Sequence, residues 1–217
     1  MRSNQYIAQA TGISRRKADA LVSQGRVTVD GQVADLGSRI NEGQQVLINN
    51  QSVAPTAKAI TIMLNKSAGY VCSRNGQGSP TIYELLPAEY HHLKPVGRLD
   101  KDSSGLLLMT NDGELANRLT HPRYGKEKVY EIGLDRPLTR TDLIKLASGV
   151  AVEGYISRLK VKEREGHNTF EVRLSEGKNR QIRRTFTALG YAVTRLHRTH
   201  FGKYELGSLK PGRFRLV

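Results

Sequence analysis

The sequence predicts an α+β protein of two domains, and three features of the chain indicate this. The first is a small N-terminal module, residues 1–51, in which two short helices precede an Asp-Gly hairpin. The second is a run of small and polar residues with one proline, residues 52–58, which is typical of a linker. The third is the succession of strands and helices over residues 59–217, for which we expect a mostly antiparallel sheet with flanking helices.

The composition narrows the class of protein. A chain of 217 residues can bury roughly 70% of its unfolded surface, so it needs no disulfides to form a sizeable core. The 34 lysines and arginines outnumber the 20 acidic residues, which predicts a polyanionic partner such as nucleic acid. The single cysteine, Cys72, fits a reducing compartment, and there is neither a long apolar run nor a signal peptide. We therefore expect a cytoplasmic protein with no membrane partner.

The N-terminal module starts with two helices that have clear end signals. Residues 6–10 predict a short helix that Gly12 ends. Ser14 is a favourable N-cap for a second helix over residues 15–24, and Gly25 is a favourable residue just after it. Both helices are therefore predicted from local signals alone.

Three cations occupy the first turn of the second helix: Arg15, Arg16 and Lys17. Positive charge there opposes the helix dipole, which suggests a role outside folding, although an ordinary solvated helix end is the alternative. An Asp-Gly turn at residues 30–31 then predicts a hairpin, and residues 46–48 predict a further strand. This order resembles the S-four-type RNA-binding module. The resemblance implies RNA contacts by the three cations and by Arg26.

The larger domain is predicted to begin with a strand over residues 60–65 and a turn over residues 66–69. A second strand, a polar Gly-rich loop and a short helix follow, at residues 70–73, 74–80 and 81–86. Cys72 has no cysteine or histidine neighbour at metal-ligand spacing, so we expect it in the core and predict no metal site.

The most informative stretch lies at residues 95–110. Residues 106–109 are continuously apolar and predict a buried strand, and Asp100 lies in the loop that leads into it. Catalytic groups are often held on loops that a rigid element anchors. The alternative is an aspartate that caps its own turn, a description that Asp102 fits well.

The remaining elements are predicted in order. A helix over residues 114–120 precedes a strand over residues 127–134, in which Tyr130 points to the same face as its second neighbours. A tyrosine in a strand is usually half-buried core. A helix and three strands then follow, at residues 139–147, 159–163, 169–174 and 193–198.

The last helix carries three arginines close together: Arg180, Arg183 and Arg184. Ile182 and Phe186 lie on its buried stripe, so Arg183 sits on the flank of that stripe while the other two point away. A flanking arginine can reach a partly buried carboxylate and its neighbours can face phosphate. The alternative is three surface arginines on a solvated helix.

Three motifs together carry a resemblance to a family. The Gly-Arg-Leu-Asp stretch at residues 97–106, the Lys-x-Tyr strand and the Gly-x-x-x-Gln-Ile-Arg segment resemble pseudouridine synthases that modify ribosomal RNA, in the RsuA/RluB/RluF group. The resemblance implies that Asp100 is catalytic, Tyr130 stacks on the target base, Arg183 pairs with Asp100 and Leu196 packs under the active site. It also implies RNA contacts by Arg98, Lys178, Arg180 and Arg184. Ser67 departs from the proline that is usual in the family.

The resemblance implies site-specific isomerisation of uridine to pseudouridine, an intramolecular transfer that needs no metal, nucleotide or flavin. The Asn-Asp-Gly segment at residues 111–119 resembles the large-subunit enzymes more closely. We expect a monomer that acts on ribosomal RNA, free or in assembly intermediates. The sequence leaves open whether Asp100 attacks the sugar or removes a sugar proton. Two other functions stay open: a non-catalytic RNA-binding or ribosome-assembly factor, and a DNA-binding protein.

Overall fold

The computed structural model describes residues 1–55, 58–166 and 168–217. The chain forms two compact units, Met1–Ala59 and Ile60–Val217. Two residues of the predicted linker, Thr56 and Ala57, lie outside the described residues. Within the described ranges, no helix is long and apolar enough to cross a membrane.

The N-terminal unit begins with two helices, α1 over Ser3–Thr11 and α2 over Arg15–Ser23. The Ser14 hydroxyl caps α2 by accepting a hydrogen bond from the Lys17 amide at 3.2 Å. Gly12 ends α1 with a φ of 75°, a left-handed conformation that costs a glycine little. Gly12 ends α1 and Ser14 caps α2 as predicted, whereas α1 begins three residues before the predicted helix and α2 ends one residue before the predicted end.

Four short antiparallel strands complete this unit: β1 (Val27–Val29), β2 (Gln32–Val33), β3 (Val46–Ile48) and β4 (Gln51–Ser52). Their spatial order is β2-β1-β3-β4, and the Asp-Gly turn joins β1 to β2 as predicted. One apolar core holds helices and strands together, with contributions from Ile7, Ala18, Val22, Val27, Val46 and Ile48.

The described part of the second unit contains three α-helices: α3 (Gly113–Thr120), α4 (Arg140–Ser148) and α5 (Gln181–Ala188). Its strands are β5 (Thr61–Lys66), β6 (Lys94–Pro95), β7 (Ser104–Thr110), β8 (Lys128–Leu134), β9 (Val150–Val152), β10 (Tyr155–Ser157), β11 (Lys160–Glu163), β12 (Thr169–Leu174), β13 (Val193–Phe201), β14 (Tyr204–Glu205) and β15 (Phe214–Leu216).

Nine of these strands form one sheet, whose main path runs β11-β12-β8-β13-β7-β5-β15. Its pairings are antiparallel except between β13 and β7, where His197 lies opposite Ser104 and Arg198 opposite Gly105. The predicted α+β class with a mostly antiparallel sheet is therefore confirmed. The parallel pair joins the strand that follows the Asp100 loop to the strand that carries Leu196.

The central strand β7 is buried on both faces of the sheet. Leu107 and Met109 belong to the larger core cluster, whereas Leu106 and Leu108 belong to a second one. Successive side chains of a strand point to opposite faces, so a strand covered on both sides shows a continuous apolar run. This explains why residues 106–109 lack alternation in the sequence.

Some predicted elements differ from the structure. Residues 70–73, predicted as a strand, contribute one isolated bridge between Val71 and Thr81. The predicted helix at residues 81–86 is a single 3₁₀ turn, Ile82–Leu85, closed by a capping box between Thr81 and Glu84. Several strands of two or three residues, such as β6 and β9, were not predicted because so short a segment shows no alternation.

Candidate active site

The Asp100 loop is held from its backbone side by Lys66, the last residue of β5. The Lys66 side chain is 0% exposed, and its Nζ donates hydrogen bonds to the carbonyls of Ser67 at 3.1 Å, Asp100 at 3.1 Å and Ser103 at 2.6 Å. Burial is the main cause that lowers the pKa of Lys66. The loop is thus clamped by a buried ammonium, a role that the sequence analysis missed because it treated Lys66 as part of a turn.

Gly105 holds the end of the same loop against β13. A Cβ atom at this position would lie 2.2 Å from the Arg198 carbonyl oxygen and 2.6 Å from its amide nitrogen. The backbone has a φ of 103°, which other residues rarely adopt. Only glycine therefore lets β7 approach β13 this closely, directly after Asp100.

Arg180 is the arginine that contacts Asp100. Its Nη1 lies 3.4 Å from Asp100 Oδ2, and the same guanidinium donates two hydrogen bonds to Asp102, at 3.3 and 3.1 Å. Arg180 is the N-cap of α5 in a left-handed conformation with φ of 49°. Its hydrogen bond to Asp102, and the charge of both carboxylates, raise the pKa of Arg180 despite its partial burial.

Arg183, which we expected to pair with Asp100, pairs with Asp102 instead. Its Nε lies 3.2 Å from Asp102 Oδ2, and its Nη2 donates to the Asp102 carbonyl at 3.2 Å. Its Nη1 donates to the Val193 carbonyl at 2.6 Å, which fixes the guanidinium between α5 and β13. The expected pairing of Arg183 with Asp100 is therefore not the one in the structure, because the start of α5 places Arg180 nearer to Asp100.

The two aspartates of the loop differ in environment. Burial raises the pKa of Asp102, but the Arg180 hydrogen bond and the charges of Arg183 and Arg180 outweigh it, so the pKa is lowered overall. Asp102 therefore takes part in a charge cluster, and its hydrogen bond to its own backbone, which also lowers the pKa, fits the turn-capping role considered for it. Arg184 pairs with Glu153 at 3.7 Å and not with either aspartate.

Tyr130 on β8 and Leu196 on β13 belong to the larger core cluster. Leu99, which precedes Asp100, and Ile182, which precedes Arg183, belong to the same cluster. Tyr130 is 9% exposed. Tyr130 and Leu196 therefore belong to the same large core as the chain neighbours of Asp100 and Arg183.

Two further polar groups lie beside this core and were not predicted. Arg198 is buried, its Nε donates to the Leu106 carbonyl at 2.7 Å, and its guanidinium lies 6.0 Å from the centre of the Tyr130 ring. His197 Nδ1 lies 2.8 Å from Ser104 Oγ. Burial, with a smaller effect of nearby Arg195, lowers the pKa of His197. Alternation in β13 offered no signal, because β-bulges interrupt its register.

The predicted RNA-binding residues lie on the surface of their respective units. Arg15, Arg16, Lys17 and Arg26 are exposed, and Arg15 and Arg26 bond to neutral side chains, those of Asn4 and of Asn49 and Gln24. In the second unit, Arg98 and Lys178 are exposed, and Lys178 Nζ lies 3.7 Å from the centre of the Tyr155 ring. Among the residues that the structure describes, no group of three or more His, Cys, Asp or Glu side chains could hold a metal ion.

Comparison with known proteins identifies the family of the chain. A family model described as RNA pseudouridylate synthase matches residues 60–188, and a model of the S4 domain matches residues 4–46. The dual-specificity RNA pseudouridine synthase RluF of Escherichia coli strain K12 is 33% identical over 220 residues, covering 99% of this chain and 74% of that protein.

Two more relatives extend over nearly the whole chain. Ribosomal small subunit pseudouridine synthase A of Salmonella typhimurium is 36% identical over 221 residues, which cover 99% of this chain and 95% of that protein. A crystal structure of a pseudouridylate synthase matches with a TM-score of 0.72 and 30% identity, covering 100% of this chain and 96% of the other. The chain therefore belongs to the RNA pseudouridylate synthase family and carries an N-terminal S4 domain.

Proposed function

We propose that this protein isomerises uridine to pseudouridine at specific positions in ribosomal RNA, and that Asp100 acts on the ribose. The proposal rests on the contacts that the two oxygens of the Asp100 carboxylate make. Oδ2 lies 3.4 Å from Arg180 Nη1, whereas Oδ1 has no hydrogen-bond donor within the described part of the chain. The side chain is 35% exposed, so we infer that a substrate can reach the carboxylate while Arg180 orients it through Oδ2.

The reaction breaks the bond between ribose and base, turns the base and rejoins it to the sugar through ring carbon five. The carbon-five proton leaves and the former glycosidic nitrogen gains a proton, so no atoms are lost overall. A target uridine must leave its stack, which costs a few kcal/mol. We infer that the Tyr130 ring offsets this cost by stacking on the base, since such stacking contributes about 1–3 kcal/mol.

Binding of the RNA would use the cations of both units. In the N-terminal unit, Arg15, Arg16, Lys17 and Arg26 have no carboxylate partner within the described residues, so their charge is free for phosphate. In the second unit we propose Arg98 and Lys178 for the same role. Arg180 and Arg184 stay predicted RNA contacts, and in the free protein their guanidinium groups face carboxylates.

We further propose large-subunit RNA as the preferred target, free or in assembly intermediates, and action as a cytoplasmic monomer. The Asn-Asp-Gly segment, which forms the capped start of α3, supports the large-subunit preference by its resemblance. The small-subunit name of one relative argues for testing both subunits' RNA side by side.

Tritium release from ribosomal RNA labelled on carbon five of uridine tests the proposal. We expect release by the wild type and none by Asp100→Asn, with RNA binding unchanged in the variant. Asp135→Asn is the matched control, because it removes the same charge from an exposed ion pair on the same unit. No release by the wild type from either subunit's RNA, or from assembly intermediates, would favour the non-catalytic binding function instead.

A further inference from the structure

The two arginines near Asp100 contact the neighbouring Asp102 more than they contact Asp100. Four charged groups meet there: Asp100 and Asp102 from the loop, and Arg180 and Arg183 from the start of α5. The two segments are about eighty residues apart in the chain, at separations of 78 and 81. The cluster therefore exists only in the folded protein, where it joins the loop to the helix.

Asp102 takes most of the contacts from the two arginines. Its Oδ1 accepts a hydrogen bond from Arg180 Nη1 at 3.3 Å, and its Oδ2 lies 3.1 Å from Arg180 Nη2 and 3.2 Å from Arg183 Nε. Asp100 has one such contact, from Arg180 Nη1 at 3.4 Å. Arg180 Nη1 is therefore divided between the two carboxylates, while its Nη2 contacts Asp102.

We propose that Asp102 is a positioning residue for the reaction: it occupies both arginines and so keeps one oxygen of Asp100 free to act on the ribose. The proposal rests on the proposed function, because it concerns the same site. A guanidinium with no second carboxylate would close on Asp100 in the two-point geometry that arginine and carboxylate prefer. Both Asp100 oxygens would then be engaged before a substrate arrives.

An ordinary surface ion pair would not have these contacts. Exposed pairs contribute little, because water screens them, and Asp102 is itself 47% exposed. Arg183, however, is 14% exposed, and it reaches both the carboxylate and the backbone carbonyl of Asp102 while its third nitrogen is held by the Val193 carbonyl. Two hydrogen bonds and this ion pair thus hold the guanidinium, which gives Asp102 a defined place relative to α5.

The prediction is a loss in turnover rather than in RNA binding. Asp102→Asn keeps the shape of the side chain but removes the charge that holds the arginines. Misplacement of a reacting group by about 1 Å can cost on the order of 100-fold in rate. We expect kcat for tritium release to fall by about 10- to 100-fold, with KM changed less than about threefold.

Two control variants separate this role from charge and from folding. Asp135→Asn changes the net charge equally, and we expect wild-type kinetics from it, because Asp135 lies in an exposed ion pair with Arg136 at 3.8 Å. Asp102→Glu keeps the charge and should recover part of the lost kcat. Equal thermal unfolding midpoints of Asp102→Asn and Asp135→Asn would exclude a general loss of structure.

A double-mutant cycle with Arg180→Gln completes the test. If Asp102 acts through Arg180, the losses in kcat do not multiply, and Asp102→Asn/Arg180→Gln is no worse than Asp102→Asn alone. Losses that multiply, a kcat of Asp102→Asn within twofold of the wild type, or an effect confined to KM would each overturn the inference. An inactive wild type would instead overturn the proposed function, so the two failures are distinguishable.

Discussion

Replacing Lys66 with methionine removes the buried ammonium under the Asp100 loop and keeps the length of the side chain. Three backbone carbonyls, of Ser67, Asp100 and Ser103, would lose a donor that lies within 3.1 Å. The Asp100 carbonyl keeps the Ser103 amide as a donor at 3.1 Å, and a buried acceptor that is left with no donor costs about 1–3 kcal/mol. Burial of the ammonium is itself unfavourable, and it lowers the pKa of Lys66. Methionine removes this cost, which offsets part of the stability lost with the hydrogen bonds. We therefore expect a net loss of about 2–4 kcal/mol in the free energy of unfolding.

Denaturant unfolding of the full chain measures this loss. Lys101→Met is the matched control, because Lys101 lies in the same loop but is exposed, with its Nζ bonded to the Ser79 hydroxyl at 2.9 Å. The control should stay within about 0.5 kcal/mol of the wild type. Equal stability of Lys66→Met and Lys101→Met would refute the view that the buried ammonium holds the loop.

The difference in the free energy of unfolding between the wild type and Lys66→Met should change with pH in one direction. The pKa of Lys66 in the folded protein lies below the ordinary 10.5, so the unfolded chain binds this proton more tightly. Between the lowered pKa and 10.5, the free energy of unfolding of the wild type should therefore rise with pH relative to Lys66→Met. A difference between the two proteins that stays constant across this window would contradict the assigned burial.

Three further predictions concern neighbouring positions. Gly105→Ala should lose at least about 3 kcal/mol of stability, because its Cβ would meet the Arg198 backbone at 2.2 Å, whereas Gly113→Ala, with nothing within 4 Å, should be neutral or stabilising in thermal unfolding. The wild type should lose stability as pH falls from 6.5 through the lowered pKa of His197, and His197→Asn should show a smaller loss in denaturant unfolding at these pH values. Tyr130→Phe should retain kcat/KM for tritium release within a fewfold, and Tyr130→Ala should lose about 10- to 100-fold; equal losses in both would exclude stacking as its role.

Local signals in the sequence were sufficient for several parts of the fold. The caps at Gly12 and Ser14 and the Asp-Gly turn act over three or four residues, so the N-terminal helices and hairpin could be predicted closely. The apolar run before Thr110 is also a local signal. It predicted a buried strand, because a strand covered on both faces has a continuous apolar segment.

Residues 70–73 show the limit of such reasoning. They were predicted as a strand, but a strand needs a partner with a matching edge, and here the described pairing is one bridge from Val71 to Thr81. The hairpin β9–β10 is the opposite case, because it forms although its sequence did not predict it. Its strands of three residues have no pattern of their own, and packing against α5 stabilises them.

The sequence by itself determined the two-domain α+β class, the S4-like start and the loop that carries Asp100, because caps, turns and apolar runs are encoded by near neighbours. Only the tertiary structure decided which arginine contacts Asp100. The family resemblance implied Arg183, yet the left-handed N-cap at Arg180 and the Val193 carbonyl bring Arg180 to Asp100 and Arg183 to Asp102. Such a choice depends on the placement of α5 against a loop about eighty residues away, at a separation of 78 between Arg180 and Asp102, and no local pattern records it.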